Sequence, residues 1–232
     1  MTTSSAPSFR SVFAEALGTA LFVFIGCASV VANGITAGAV GGLGIAFAHG
    51  VGMAVLISAL MSITGGYLNP AVSFGLLAAG KIDAKTFGKY VAAQLVGGVI
   101  GAALVKAVFP VQSVMAMSVG TPGLASMISF GQGVAIEALF TFILVSAVFG
   151  TAVSSEAPKI AGFGIGLSIF VAAIVVGPLT GAALNPARAF GPALVAMDFK
   201  AHAVYWIGPL VGGGLAGWVW RTFLLPRDPA RL

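Results

Sequence analysis

The sequence predicts an all-α membrane protein in which six transmembrane helices and two re-entrant half-helices form an inverted repeat. Three observations carry that prediction. Only 7% of the 232 residues are charged, 59% are hydrophobic and the mean hydropathy is +1.08, whereas a soluble domain has about a quarter of its residues charged. Six apolar stretches are long enough to cross a hydrocarbon core of about 30 Å, which takes about 20 helical residues. The triplet Asn-Pro-Ala occurs twice, at Asn69-Pro70-Ala71 and Asn185-Pro186-Ala187, each between a Gly-rich lead-in and a short apolar stretch.

Such a composition cannot build an aqueous surface. Lipid must solvate the chain, and hydrocarbon offers backbone polar groups no partner, so they must be satisfied within helices or within protein. The 33 glycines fit this, because small residues let membrane helices approach closely. A net charge of +5 does not imply nucleic acid here: the Lys and Arg residues are sparse and fall between apolar segments, where they act as topology signals. Cys27 is the single cysteine, so one chain can form neither a disulfide framework nor a cysteine metal cluster. The short polar start up to Arg10 leads into a stretch long enough to span, which favours a first helix over a cleaved leader.

In chain order the spans are expected near 10–32, 40–63, 85–108, 131–152, 160–178 and 203–224. Two further apolar pieces, 70–79 and 186–197, are about half as long. At about 1.5 Å per residue they reach only the membrane midplane. Each begins with Asn followed by Pro, a strong helix start: Asn caps free amides, and Pro lacks the donor that would be orphaned there.

The whole chain reads as one membrane domain, residues 1–232, with a first repeat at about 8–110 and a second at about 130–225. The two asparagines, 69 and 185, are 116 residues apart, half the chain, and 65–75 aligns without gaps on 181–191. Ala14-Glu15-Ala16-Leu17-Gly18-Thr19 in the first span resembles Ile136-Glu137-Ala138-Leu139-Phe140-Thr141 in the fourth. Three spans per repeat make an odd number of crossings, so the copies insert with opposite orientation and share a site at the midplane. Six spans put both termini on one side. Arg10, Lys81, Lys85, Lys89, Lys159, Arg221, Arg227 and Arg231 gather on that side against Lys106, Arg188 and Lys200 opposite, which makes it cytoplasmic.

Opposed half-helices bring two positive helix termini together at the centre, a place that disfavours cations. Asn69 and Asn185 would cap those helices and offer side-chain NH2 groups to a passing oxygen. The lead-ins 64–68 and 180–184 must be non-helical, and at membrane depth such backbone is tolerated only when buried in protein or lining water. Their carbonyls therefore suggest an aqueous path. Glu15 and Glu137 are carboxylates inside spans, costly unless partnered; taken alone they allow either a proton relay or a structural role.

With these residues in place, the chain resembles the aquaporins, the major intrinsic protein family, over nearly its whole length from Glu15 to Trp206. The paired triplets, Arg188 directly after the second, and the two intramembrane glutamates carry the resemblance. It implies a homotetramer in which each subunit holds its own passive pore for water, closed to protons and ions. It also makes Glu15 and Glu137 anchors for the re-entrant loops, and it places a selectivity filter on His49, Ala173, Ala182 and Arg188. Strict water channels carry Phe where this chain has His49 and His where it has Ala173, so the filter looks rearranged and relaxed, more like those of ammonia-permeable members. Arg188 would repel protons and cations, although an Arg there could also snorkel or cap. His49 has a bland alternative as a packed intramembrane residue, although intramembrane ionisable groups are usually functional; if it lines the filter, its protonation between pH 5 and 8 would add a charge beside Arg188 and lower permeation.

Glycerol facilitators carry Asp after the Arg and a Pro-Leu pair in the sixth span, where this chain has Ala189 and Tyr205-Trp206. That favours the water-channel branch, while Ala173 keeps ammonia, hydrogen peroxide and glycerol open. Ala182 stands where mercury-sensitive relatives have Cys. An ion-coupled secondary transporter also uses inverted repeats but would need ion ligands at the midplane beyond the Asn pair. A structural junction protein is a further class, though the short loops give a partner little to grip. An enzyme is not expected, nor a cofactor or a metal: His49 and His202 are far apart in topology, and no ligand cluster or phosphate loop is evident. The lean loops and basic side fit a multi-pass protein of a bacterial plasma (inner) membrane.

Overall fold

The computed structural model describes residues 7–226. Arg227 and Arg231, two of the topology signals, lie outside the described residues. Every regular element among the described residues is helical.

Helix α1 (Phe9–Ile35) starts at Ser8, whose side chain accepts from the Ser11 amide. Helix α2 (Gly41–Thr64) stops at Gly65, whose φ of 93° no β-carbon would tolerate easily. The first half-helix, α3 (Pro70–Ala78), and the fourth long element, α4 (Ala84–Val108), follow. The connection after α4 holds a short helix, α5 (Val111–Ala116), and a 3-10 turn, Ser118–Gly120. Helix α6 (Phe130–Val148) opens with a capping box between Ser129 and Gln132. Helix α7 (Ala161–Thr180), the second half-helix α8 (Pro186–Ala196) and α9 (Val204–Val219) complete the order.

Among the described residues, five helices are each long and apolar enough to cross a membrane. The sixth expected span is divided: α9 has 16 residues and continues as a π-helical turn, Trp220–Leu224. A matching π turn, Phe149–Val153, ends α6, and Phe149 stacks on Trp220 with ring centroids 5.9 Å apart. Hydropathy sees only that a stretch is apolar, so the change of helix type was not legible.

The repeats follow the same packing rules. Helix α1 lies on α4 and α6 lies on α9, at contacts where a β-carbon would not fit: one at Gly97 would strike the Ala16 carbonyl, and one at Gly212 the Ala138 carbonyl. The half-helices cross between repeats. A β-carbon at Gly98 of α4 would crowd the Ala187 carbonyl at the start of α8, and one at Gly213 of α9 would crowd the Ala71 carbonyl at the start of α3. The outward faces stay apolar at one-turn spacing, with Leu43, Phe47, Val51 and Val55 exposed on α2 and Phe163, Leu167 and Val171 on α7. Hydrocarbon is the solvent such faces fit.

Candidate functional site

The two Asn-Pro-Ala triplets meet at the centre and are tied crosswise. The Asn69 Oδ1 accepts from the Ala71 amide at 2.8 Å, capping α3, while its Nδ2 donates to the Leu184 carbonyl at 2.9 Å. The Asn185 Oδ1 accepts from the Ala187 and Arg188 amides at 3.0 and 3.2 Å, and its Nδ2 donates to the Leu68 carbonyl at 2.9 Å. An NH2 group has two hydrogens. Each asparagine therefore commits one to the opposite repeat and leaves one for a passing oxygen, half of what the sequence suggested. Pro70, Ala71, Pro186 and Ala187 form the first turns behind them, all buried.

The lead-ins are non-helical, as expected, with positive φ at Gly65, Gly66 and Leu68 in one repeat and at Gly181, Ala182 and Leu184 in the other. Two buried carboxylates hold these strained turns. Glu15 accepts from the Tyr67 and Leu68 amides at 3.1 and 2.8 Å, and from Gln94 Nε2 at 2.8 Å. Glu137 accepts from the Ala183 and Leu184 amides at 3.1 and 2.7 Å, and from Thr180 Oγ1 at 2.7 Å. A carboxylate has acceptor sites for all of these donors. Thr64 and Thr180 add the same small turn in each repeat, accepting from the Gly66 and Ala182 amides at 2.8 and 3.2 Å.

Outside the asparagine pair lies a cavity of about 490 Å³, and His49, Ala173, Ala182 and Arg188 all line it. The buried Arg188 donates from Nη1 to the Gly120 carbonyl at 3.1 Å and from Nη2 to His49 Nε2 at 3.3 Å, and its Nε has no partner. The His49 Nδ1 sits 2.8 Å from the Ile45 carbonyl, an acceptor. That contact assigns the proton to Nδ1 and leaves Nε2 to accept from the guanidinium. A second ring proton would point an N–H at an N–H, so the geometry gives the expected His49 pH gate no support. On the other side of the asparagines a narrow cavity of about 10 Å³, the room one water needs, is lined by Gly65, Gly66, Tyr67 and Asn69.

Three participants were missed in the sequence. Gly120 acts through its carbonyl, which no residue type advertises. Tyr205 donates from its hydroxyl to the Thr180 carbonyl at 2.8 Å, bracing the second lead-in. Gln94 was findable as a lone amide in an apolar span; besides Glu15 it reaches Ser73 Oγ at 3.0 Å. Cys27 is fully buried, with Sγ 4.0 Å from the Gly120 carbonyl oxygen. Among the described residues no group of three metal-ligating side chains comes together.

Comparison with known proteins bears directly on this arrangement. Residues 2–220 match the family model described as major intrinsic protein. The chain is 40% identical to the probable aquaporin TIP2-2 of Oryza sativa subsp. japonica over 238 residues, covering 97% of this chain and 92% of that one. It is likewise 40% identical to aquaporin TIP2-1 of Arabidopsis thaliana over 229 residues, covering 95% and 90%. Among solved structures, the X-ray structure of the aquaglyceroporin from Plasmodium falciparum superposes with a TM-score of 0.82 at 25% identity, covering 92% of this chain and 96% of that one. Match and geometry agree over residues 7–220: the chain belongs to the major intrinsic protein family, whose aquaporin members are multi-pass membrane channels.

Proposed function

We propose that the chain is a passive water channel that excludes ions and protons and has a filter relaxed enough to pass small neutral solutes. One observation carries the reading: the crossed asparagine pair, with one free N–H on each side chain, stands between a wide cavity and one of single-water size. Two half-helix N-termini face that point, so a cation meets positive partial charge where water meets donors. His49, Ala173, Ala182 and Arg188 serve as the filter in this reading, and Glu15 and Glu137 hold the lead-ins. Each carboxylate takes two successive amides of its turn, which favours anchors over a proton relay.

Ammonia or glycerol facilitation is the second reading. Ala173 and Ala182 add little bulk to the cavity that Arg188 lines, and the solved relative is an aquaglyceroporin. The named curated relatives are titled aquaporins. An ion-coupled transporter finds less support, since the central polar groups are amides already committed to capping. The oligomer we propose is a homotetramer with one pore per chain and both termini cytoplasmic. A bacterial plasma membrane is the location we propose from the lean loops and the basic side; the relatives named above are plant proteins and lend that branch no support.

Stopped-flow light scattering on proteoliposomes tests the reading. Wild type should shrink fast under osmotic challenge, and Ala173→His, which refills the filter wall, should keep water flux and lose glycerol entry. Water flux no faster than that of empty liposomes would overturn the channel reading.

A further inference from the structure

The turn Ser118–Gly120 is strained and held from both ends of one half-helix. Its three residues have φ of 44°, 57° and 75°, a left-handed run that persists only where its surroundings impose it. Val119 is fully buried, and Thr121 Oγ1 donates back to the Ser118 carbonyl. Ser118 Oγ donates to Asp198 Oδ2 at 3.1 Å, just beyond the C-terminus of α8. Two residues along the turn, the Gly120 carbonyl accepts from Arg188 Nη1 at 3.1 Å, in the first turn of the same helix. The Asp198 Oδ1 is engaged by the Lys200 amide at 3.3 Å, which fixes the carboxylate's other edge.

We propose that Ser118 and Asp198 form a latch that holds the Gly120 carbonyl on Arg188 and thereby keeps the guanidinium out of the water path. Both are positioning residues. The remaining polar contacts of Arg188 cannot do this alone, since His49 offers one ring nitrogen and Nε has no partner. Once released, the guanidinium has the cavity of about 490 Å³ that it already lines to swing into, where Ala173 and Ala182 add little bulk. It then stands in the path of the permeant. This rests on the proposed filter role of Arg188.

The test is water permeability per incorporated channel in proteoliposomes. Ser118→Ala and Asp198→Ala should each lower it by about threefold, the population change that loss of one net hydrogen bond allows. Together they should lower it no further, since both remove the same contact. Asp198→Asn, whose oxygen can keep the Lys200 amide while its NH2 donates to the Ser118 hydroxyl oxygen, should retain the wild-type value. In an Arg188→Ala background, where there is no guanidinium to hold, Ser118→Ala should change nothing, whereas a merely structural role would lower the flux there too. An unchanged flux in Ser118→Ala, an additive double variant, an Asp198→Asn that behaves like Asp198→Ala, or an equal loss in the Arg188→Ala background would each overturn the latch. Arg188→Ala that conducts no water would overturn the filter reading beneath it, because removing that side chain only widens the path.

Discussion

Replacing Glu137 by Gln separates an anchoring carboxylate from a proton-carrying one. Glu137 receives the Ala183 amide and Thr180 hydroxyl on one oxygen and the Leu184 amide on the other. Gln keeps one oxygen and turns an NH2 toward the second position, so either Ala183 or Leu184 faces a donor with its own. A hydrogen bond to a charged group contributes about 1.5–3 kcal/mol, and a buried orphan costs about 1–3 kcal/mol. Because the turn can relax partly, the net loss should be about 2–4 kcal/mol. For a chain of this size each kcal/mol moves the melting temperature by about 2–4 °C. Thermal unfolding in detergent should therefore drop by about 5–15 °C. Water flux should fall as well, since the Leu184 carbonyl displaced with the turn is the partner of Asn69. Glu15→Gln should repeat the effect on the first lead-in. A melting temperature within about 2 °C of wild type, together with loss of a solute-coupled proton flux, would refute the anchor and restore the relay.

Mercury should give no prompt, thiol-reversible block, because Ala182 offers no sulfur at the outer cavity and Cys27 is fully buried; rapid inhibition relieved by a thiol would contradict this. Osmotic permeability should be flat between about pH 5 and 8, the range in which an ordinary imidazole titrates, because His49 already spends both nitrogens on Ile45 and Arg188; an acid-side fall absent in His49→Phe would refute the assigned tautomer. His202, in the turn before α9, behaves differently. Burial holds it below the ordinary imidazole range, and its Nε2 accepts from Trp206 Nε1 at 3.1 Å. The neutral ring's contribution to stability is thus present above about pH 6.5 and lost as the pH falls below it. The melting temperature should decline from pH 7 to pH 5, and a slope unchanged in His202→Phe would count against the assignment.

The architecture was legible because it rests on signals of residue type. Length and hydropathy placed the spans to within a few residues, and Asn followed by Pro marked both half-helix starts, which fall at Pro70 and Pro186. The divided ends of α6 and α9 were illegible because a π turn changes hydrogen-bond register without changing composition. The four cavity-lining residues could be counted out from the asparagines only because the stretches between are free of gaps. Their partners could not, since Gly120 contributes a carbonyl that any residue carries.

The repeat symmetry shows where sequence reasoning stops. Contacts made by backbone or by small residues are duplicated: Gly97 pairs with Ala16 as Gly212 does with Ala138, and each glutamate takes two successive amides. Contacts made by long side chains are not. Gln94 joins the first carboxylate to Ser73 of α3 and Tyr205 braces the Thr180 carbonyl of the second lead-in, while the small threonines recur, Thr64 reaching Glu15 as Thr180 reaches Glu137. The shared part follows from geometry both repeats must satisfy, because the same re-entrant turn needs the same two acceptors. The unshared part lies where the lumen stops being symmetric, with a wide cavity at Arg188 and a single-water one at Tyr67. Removing the Tyr205 hydroxyl in Tyr205→Phe should therefore shift the ratio of water to glycerol flux while lowering the melting temperature less than Glu137→Gln does, because the two-amide cradle on each glutamate survives the change.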